Sequence, residues 1–265
     1  MDFKYKEKYN IEDLLTIMRL LRSEDGCPWD REQTHQSIRK NLIEETYEAA
    51  EAIDREDMPL LKEELGDVLL QVVFHARMEE EKGNFSFDDV ADGICKKLIV
   101  RHPHIFADVT ADNAEQVLAN WDSIKKKEKG QQTAAETLAA VSSALPALMR
   151  AQKVQQRAAR AGFDYDETGQ AMADLESEVR ELREALASDD STAVEEELGD
   201  LIFAAVNVAR FSKTDAEEAL SRSTEKFMRR FERVEQLAGE EKLDLKEAPL
   251  DELNRLWKRA KEMSH

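Results

Sequence analysis

The sequence matches itself when shifted by 133 residues. Glu45, Glu48, Glu64 and Asp67 then fall on Glu178, Glu181, Glu197 and Asp200 without a gap. The apolar series Leu65, Val68, Leu69, Val72, Val73, Ala76 falls on Leu198, Leu201, Ile202, Ala205, Val206, Ala209, and Arg77 on Arg210. Further on the register drifts. Lys97-x-x-x-Arg101 pairs with Lys226-x-x-x-Arg230 at a shift of 129, and Trp121 with Trp257 at a shift of 136. A tandem duplication of one folding unit, with small changes in loop length, accounts for this pattern. The expected layout is one unit over 1–130, a polar, small-residue linker over 131–143, and a second unit over 144–265.

The apolar series recurs at i, i+3, i+4, i+7, i+8 and i+11, the spacing of one helix face turned toward a core. Helices are expected over 10–22, 35–55, 59–82, 87–100, 113–130, 145–160, 168–187, 190–212, 214–238 and 249–263. Thr214-x-x-Glu217 reads as a capping box, and Pro146 and Pro249 open helices. No segment alternates with period two. The fold class is therefore all-α: two tandem helical-bundle units.

Composition narrows the function. A net charge of −19 argues against a basic nucleic-acid-binding face. No apolar run reaches the length of a membrane span, and the polar N-terminus is no signal peptide, so a cytoplasmic protein is expected. Cys27 and Cys95 are too few for a disulfide framework and read as reduced thiols.

Acidic pairs alone carry little weight: with 57 acidic residues in 265, chance gives about a dozen at i, i+3, most of them solvated helix faces. Their repetition at the same spacing in both halves sets these pairs apart. Glu45 and Glu48 share a helix face, as do Glu64 and Asp67, and a short turn near Met58–Pro59 would bring the two helices together antiparallel. Four convergent carboxylates repel one another unless a cation compensates them, and an all-oxygen set suits Mg²⁺ or Mn²⁺ rather than zinc.

These residues resemble a known family. Glu44-Glu45-Thr46-Tyr47-Glu48 followed by Glu64-Leu65-Gly66-Asp67 is similar to the E-E-x-x-E and E-x-x-D motifs of the MazG family of all-α nucleoside triphosphate pyrophosphohydrolases. So are Gly26-Cys27-Pro28-Trp29-Asp30, Gln33-Thr34-His35, residues 145–166 and residues 226–235. The resemblance implies Mg²⁺-dependent hydrolysis of NTPs and dNTPs to monophosphate and pyrophosphate by a homodimer. It implies metal ligands at Glu45, Glu48, Glu64 and Asp67, and again at Glu178, Glu181, Glu197 and Asp200. Lys97 and Arg101, and the segment Lys226-Phe227-Met228-Arg229-Arg230, would bind substrate, with Trp121 and Trp257 near the nucleotide. Glu44, Glu45 and Glu178 are the candidate catalytic carboxylates, Glu44 being the outer one suited to act as general base. The second half departs from the pattern at Ser177, in place of a glutamate, and at Asp174, where the family's catalytic domain commonly has a lysine. Resemblance favours the C-terminal unit as the active one; the intact motif favours the first.

Two rival readings meet the same residues. A di-iron bundle needs E-x-x-H on two of the helices that carry its carboxylates; Glu32-x-x-His35 has that spacing, but the repeated quartets end in Asp67 and Asp200, not histidine. A non-catalytic acidic helical regulator that binds nucleotide or protein is the second, and turnover separates it from an enzyme.

Overall fold

The computed structural model describes residues 3–107, 132–188 and 190–263, together with residues 113, 116, 117, 120, 121, 124, 128 and 130. It forms two compact units, one within Met1–Lys125 and the other within Lys126–His265. The described elements are helices, with no strand among them.

The first unit contains α1 (Ile11–Leu21), α2 (Pro28–Glu32), α3 (Arg39–Asp54), α4 (Met58–Glu80), α5 (Phe87–Arg101) and α6 (Pro103–Phe106). Its scaffold is the α3–α4 hairpin, with α1 and α5 laid against α4. Asn10 and Asp13 close a reciprocal capping box on α1, and Ser86 and Asp89 do the same on α5. Asp57 caps α4, its carboxylate accepting from Leu60 N at 3.1 Å. Met18, Ile38, Val73, Phe74 and Met78 make the core, flanked by Leu14, Leu15, Leu70 and Phe87.

The second unit contains α7 (Ala134–Ala139), α8 (Ala147–Arg160), α9 (Thr168–Ser188), α10 (Ser191–Phe211), α11 (Ala216–Glu241) and α12 (Leu250–Glu262). The α9–α10 hairpin repeats α3–α4, and α8 packs on both α10 and α11. Gln152, buried in that packing, donates to Thr214 O at 2.9 Å and accepts from Ala216 N at 2.9 Å, so its amide is matched at both ends. A separate core joins α11 to α12 through Val234, Leu237, Ala238, Leu256 and Ala260.

Several expectations need correction. The helix expected from residue 35 begins at Arg39, because Thr34 and Ser37 tie 34–37 into a turn of side-chain-to-backbone bonds. The segment expected as a linker carries α7, capped by Thr133 and Glu136 and packed on α8. The cap of α11 is Asp215 rather than Thr214. Its carboxylate accepts from Glu218 N, while Glu217 reaches Met149 N in the first turn of α8. The expected helix 113–130 lies largely outside the described residues. The apolar series on α4 is only partly core: Val73 and Ala76 are buried, but Leu65 is 54% exposed and Leu69 39%. Leu198 and Ile202 are likewise exposed on α10. Each hairpin thus keeps an apolar face that the described residues of its own unit leave exposed.

Candidate metal centre

The carboxylates arrive in pairs because the hairpins are antiparallel and in one register. On α3, Glu45 and Glu48 are separated by about 300° of helix turn, and on α4 so are Glu64 and Asp67. Glu45, Glu48 and Glu64 each offer an oxygen within 4.8 Å of the others. Asp67 completes the set as the strongest charged neighbour of Glu45. In the second unit Glu178, Glu197 and Asp200 lie within the same 4.8 Å, and Glu181 is the first charged neighbour of both Glu178 and Glu197. Glu64 is buried, and Glu45, Asp67, Glu178 and Glu197 are half-buried.

Burial raises the Glu45 carboxyl above its usual range, and the charges of Asp67, Glu48, Glu64 and Glu44 add to the effect. Glu64 is raised by burial and by Glu48, Asp67 and Glu63. Glu178 and Glu197 are raised in the same way, by burial first and then by their acidic neighbours. Among the described residues none of the eight carboxylates makes an ion pair. Oxygen-only clusters of unneutralised carboxylates fit a hard divalent cation.

The two clusters differ where the motifs do. Ser177 Oγ donates to Glu181 Oε1 at 2.9 Å and accepts from Arg180 Nη2 at 3.1 Å. Glu181 is thereby held toward Ser177, outside the tight trio. At the equivalent place in the first unit stands Glu44, exposed on α3 and adding only charge. The second unit also brings up a residue that motif reading missed. Tyr165 sits beside Asp174 and Glu178, and burial and then Asp174 push its hydroxyl pKa up. Its loop is pinned to α10 by Arg210 Nη1, which donates to Asp164 Oδ2 at 2.9 Å. The pairing of Arg210 with Arg77 across the repeat was the available sequence signal.

The expected substrate-binding residues lie on other helices. Lys97, Lys226 and Arg229 are exposed and Arg230 is half-buried; none makes an ion pair among the described residues. Arg101 lies over the Trp121 ring, 5.4 Å from its centroid, with His102 edge-on to the same ring. Trp257 packs against the α11–α12 core, and Phe227 tilts against it at 5.1 Å between centroids. Met228 is exposed.

A model of the MazG nucleotide pyrophosphohydrolase domain matches this chain twice, over residues 33–106 and 167–235. The chain belongs to the MazG family. Each match spans one of the two carboxylate hairpins. A nucleoside triphosphate pyrophosphohydrolase of Escherichia coli K12 is 45% identical over 95% of this chain and 97% of its own length. A MazG nucleoside triphosphate pyrophosphohydrolase/pyrophosphatase of Thermotoga maritima is 43% identical over 94% and 95%. The Bacillus subtilis protein YabN is 46% identical over 93% of this chain but only 50% of its own length. The MazG unit thus occurs both in tandem proteins of this length and within a longer chain.

Proposed function

We propose that this protein hydrolyses nucleoside and deoxynucleoside triphosphates between the α- and β-phosphorus, releasing the monophosphate and pyrophosphate. The observation that carries this reading is the pair of carboxylate hairpins of one register, each inside a MazG domain. Two relatives that match nearly end to end are named nucleoside triphosphate pyrophosphohydrolases.

Glu45, Glu48, Glu64 and Asp67 would hold Mg²⁺ in the first unit, with Mn²⁺ as a substitute; Glu178, Glu181, Glu197 and Asp200 would do so in the second. A divalent cation held there would supply neutralisation of the triphosphate charge and a water acidic enough to act near neutral pH. Glu44, exposed beside Glu45, takes the proton of the attacking water in the first unit. Glu45 and Glu178 orient that water from inside the clusters. Lys97 with Arg101, and Lys226 with Arg229 and Arg230, receive the phosphates and balance the charge growing on the departing pyrophosphate. Trp121 and Trp257, the latter with Phe227 and Met228, flank the nucleotide. The uncovered apolar faces of α4 and α10 support a homodimer.

Metal binding and pH are coupled. The four raised carboxyls hold protons more tightly in the folded than in the unfolded chain. They therefore lower folded stability as pH climbs from the ordinary glutamate value of 4.5 through their raised values. Mg²⁺ relieves the same repulsion. The rise in Tm on adding Mg²⁺ is expected to grow between about pH 5 and pH 8. A Mg²⁺ effect that is flat across that range, followed by circular dichroism melts, contradicts the assignment of these carboxylates as ligands.

Pyrophosphate release from a panel of NTPs tests the function itself. The comparison takes wild type, Glu64→Gln/Asp67→Asn and Glu197→Gln/Asp200→Asn, with Mg²⁺ and with Mn²⁺. No release by wild type with either metal contradicts the proposal and leaves the non-catalytic regulator.

A further inference from the structure

The start of α3 is not held by its own sequence. It has no capping side chain, and Arg39 and Lys40 set positive charge at the positive end of the helix dipole. The loop in front holds it instead. Ile38 is buried in the core of the first unit, and its amide donates to Thr34 O at 3.3 Å. That loop is anchored toward the end of α4 in two places. At one, Arg22 pairs with Glu81 and donates to Asp30 O and, at 3.4 Å, to Gln33 O. The other is His35, whose Nδ1 lies 2.7 Å from His75 Nδ1 and whose Nε2 lies 2.6 Å from Glu79 Oε1. The two imidazoles are stacked, 5.0 Å between centroids and 7° from parallel.

A contact between two ring nitrogens holds one hydrogen and no more. Glu79 is kept ionised, at a pKa of about 2, by Lys82, Asn84 and His35. A carboxylate only accepts, so His35 Nε2 carries a hydrogen. With His35 neutral, its Nδ1 accepts from His75; with His35 charged, its Nδ1 donates to a neutral His75. A second proton sets N–H against N–H and charge against charge, and the contact is lost. Burial, and then the charge of His35, hold the His75 imidazole below its usual value of 6.5. The other charges nearby are already matched. On α4, Arg77 pairs with Glu80 and Glu81, and beyond it Lys82 pairs with Glu79. From α1, Arg22 pairs with Glu81, and on α5 Asp89 is turned into the cap at Ser86. On α3, Arg39 and Lys40 are exposed.

We propose that His35 and His75 form an acid-released clasp, present only in the first unit, that seats the start of α3 against α4. At a shift of 133, the second unit has Thr168, Val208 and Ser212 at the places of His35, His75 and Glu79, and it forms the same hairpin. The hairpin therefore does not need the three side chains in order to fold. His75 is neutral while clasped and takes a proton more readily once released. The contribution of the clasp is thus present above about pH 6.5 and lost as pH falls toward the depressed value of His75. The carboxyls of the metal centre act with the opposite sign, because their repulsion eases as they take up protons in acid. A loosening of α3 in acid therefore cannot come from them.

Hydrogen exchange of the full chain, resolved by NMR and corrected for the pH dependence of unprotected amides, tests the clasp at about pH 7.5 and about pH 5.5. The amides of Ile38 and Leu42, which donate to Thr34 O and Ile38 O, report on the seat of α3. In wild type their protection is expected to fall at least about threefold at the lower pH. His75→Asn places an amide near the Nδ1 position that can pair with His35 in either charge state and does not titrate. Protection in that variant is expected to be the same at both pH values. Each comparison is made within one protein, so a variant of lower overall stability still reports. The imidazole resonances of wild type give a second reading: His35 and His75 are expected to take up protons in two separated steps. Protection at Ile38 and Leu42 that holds in acid overturns the clasp. So does an acid loss that persists in His75→Asn, or two coincident histidine titrations near the usual value.

Discussion

Combining Glu64→Gln with Glu197→Gln is expected to cut Mg²⁺-dependent pyrophosphate release at least about a thousandfold, the scale of losing electrostatic stabilisation at the reacting phosphate. Glutamine keeps the size of the side chain and removes the charge. Both glutamates sit at the centre of their clusters, each raised by burial and by the carboxylates around it. Removing a negative charge from such a group relieves repulsion, so the variant is expected to melt no lower than wild type without metal. Lost activity with retained stability distinguishes a ligand from a structural residue. The half-variants then divide the work. Ser177 draws Glu181 aside in the second unit, whereas the first unit keeps Glu44 beside its quartet. Loss of activity in only one double variant assigns the active unit, and activity surviving in the combined variant contradicts the metal site in both.

The second large effect concerns assembly. Leu198 and Ile202 are each 46% exposed, one turn apart on α10, beside Phe203 at 45%. Replacing Leu198 and Ile202 together with glutamate sets two carboxylates on the face proposed to pair, where neither finds a partner. Light scattering is expected to give wild type at twice the 30.3 kDa chain mass and the variant at 30.3 kDa. A monomeric wild type, or a variant that remains dimeric, contradicts the pairing of this face.

The duplicated hairpins were legible because their information is local and periodic. Two carboxylates at i, i+3 share a face wherever a helix forms, and a short capped turn at Asp57 or Asp190 makes the pairing antiparallel. The apolar series misled for a physical reason: period 3.6 identifies which face is apolar, not what covers it. Val73 meets the chain's own core, whereas Leu65 and Leu69 do not. Helices α2, α6 and α7 span four to six residues, too short for a periodicity to show. Thr214 and Asp215 are adjacent capping residues of similar propensity, and only the α8 contact made by Glu217 decides between them. Gln71 and His75 are hidden inside an apolar run. His75 meets His35, 40 residues away, and His35 in turn meets Glu79. No local pattern carries that relay.

The central claim, metal-dependent cleavage between the α- and β-phosphorus, is tested most directly by phosphorus NMR of the products from ATP. Wild type with Mg²⁺ is predicted to yield AMP and pyrophosphate in equal amounts, with turnover abolished by EDTA and restored by excess Mg²⁺. ADP with inorganic phosphate, or turnover that persists in EDTA, would contradict it.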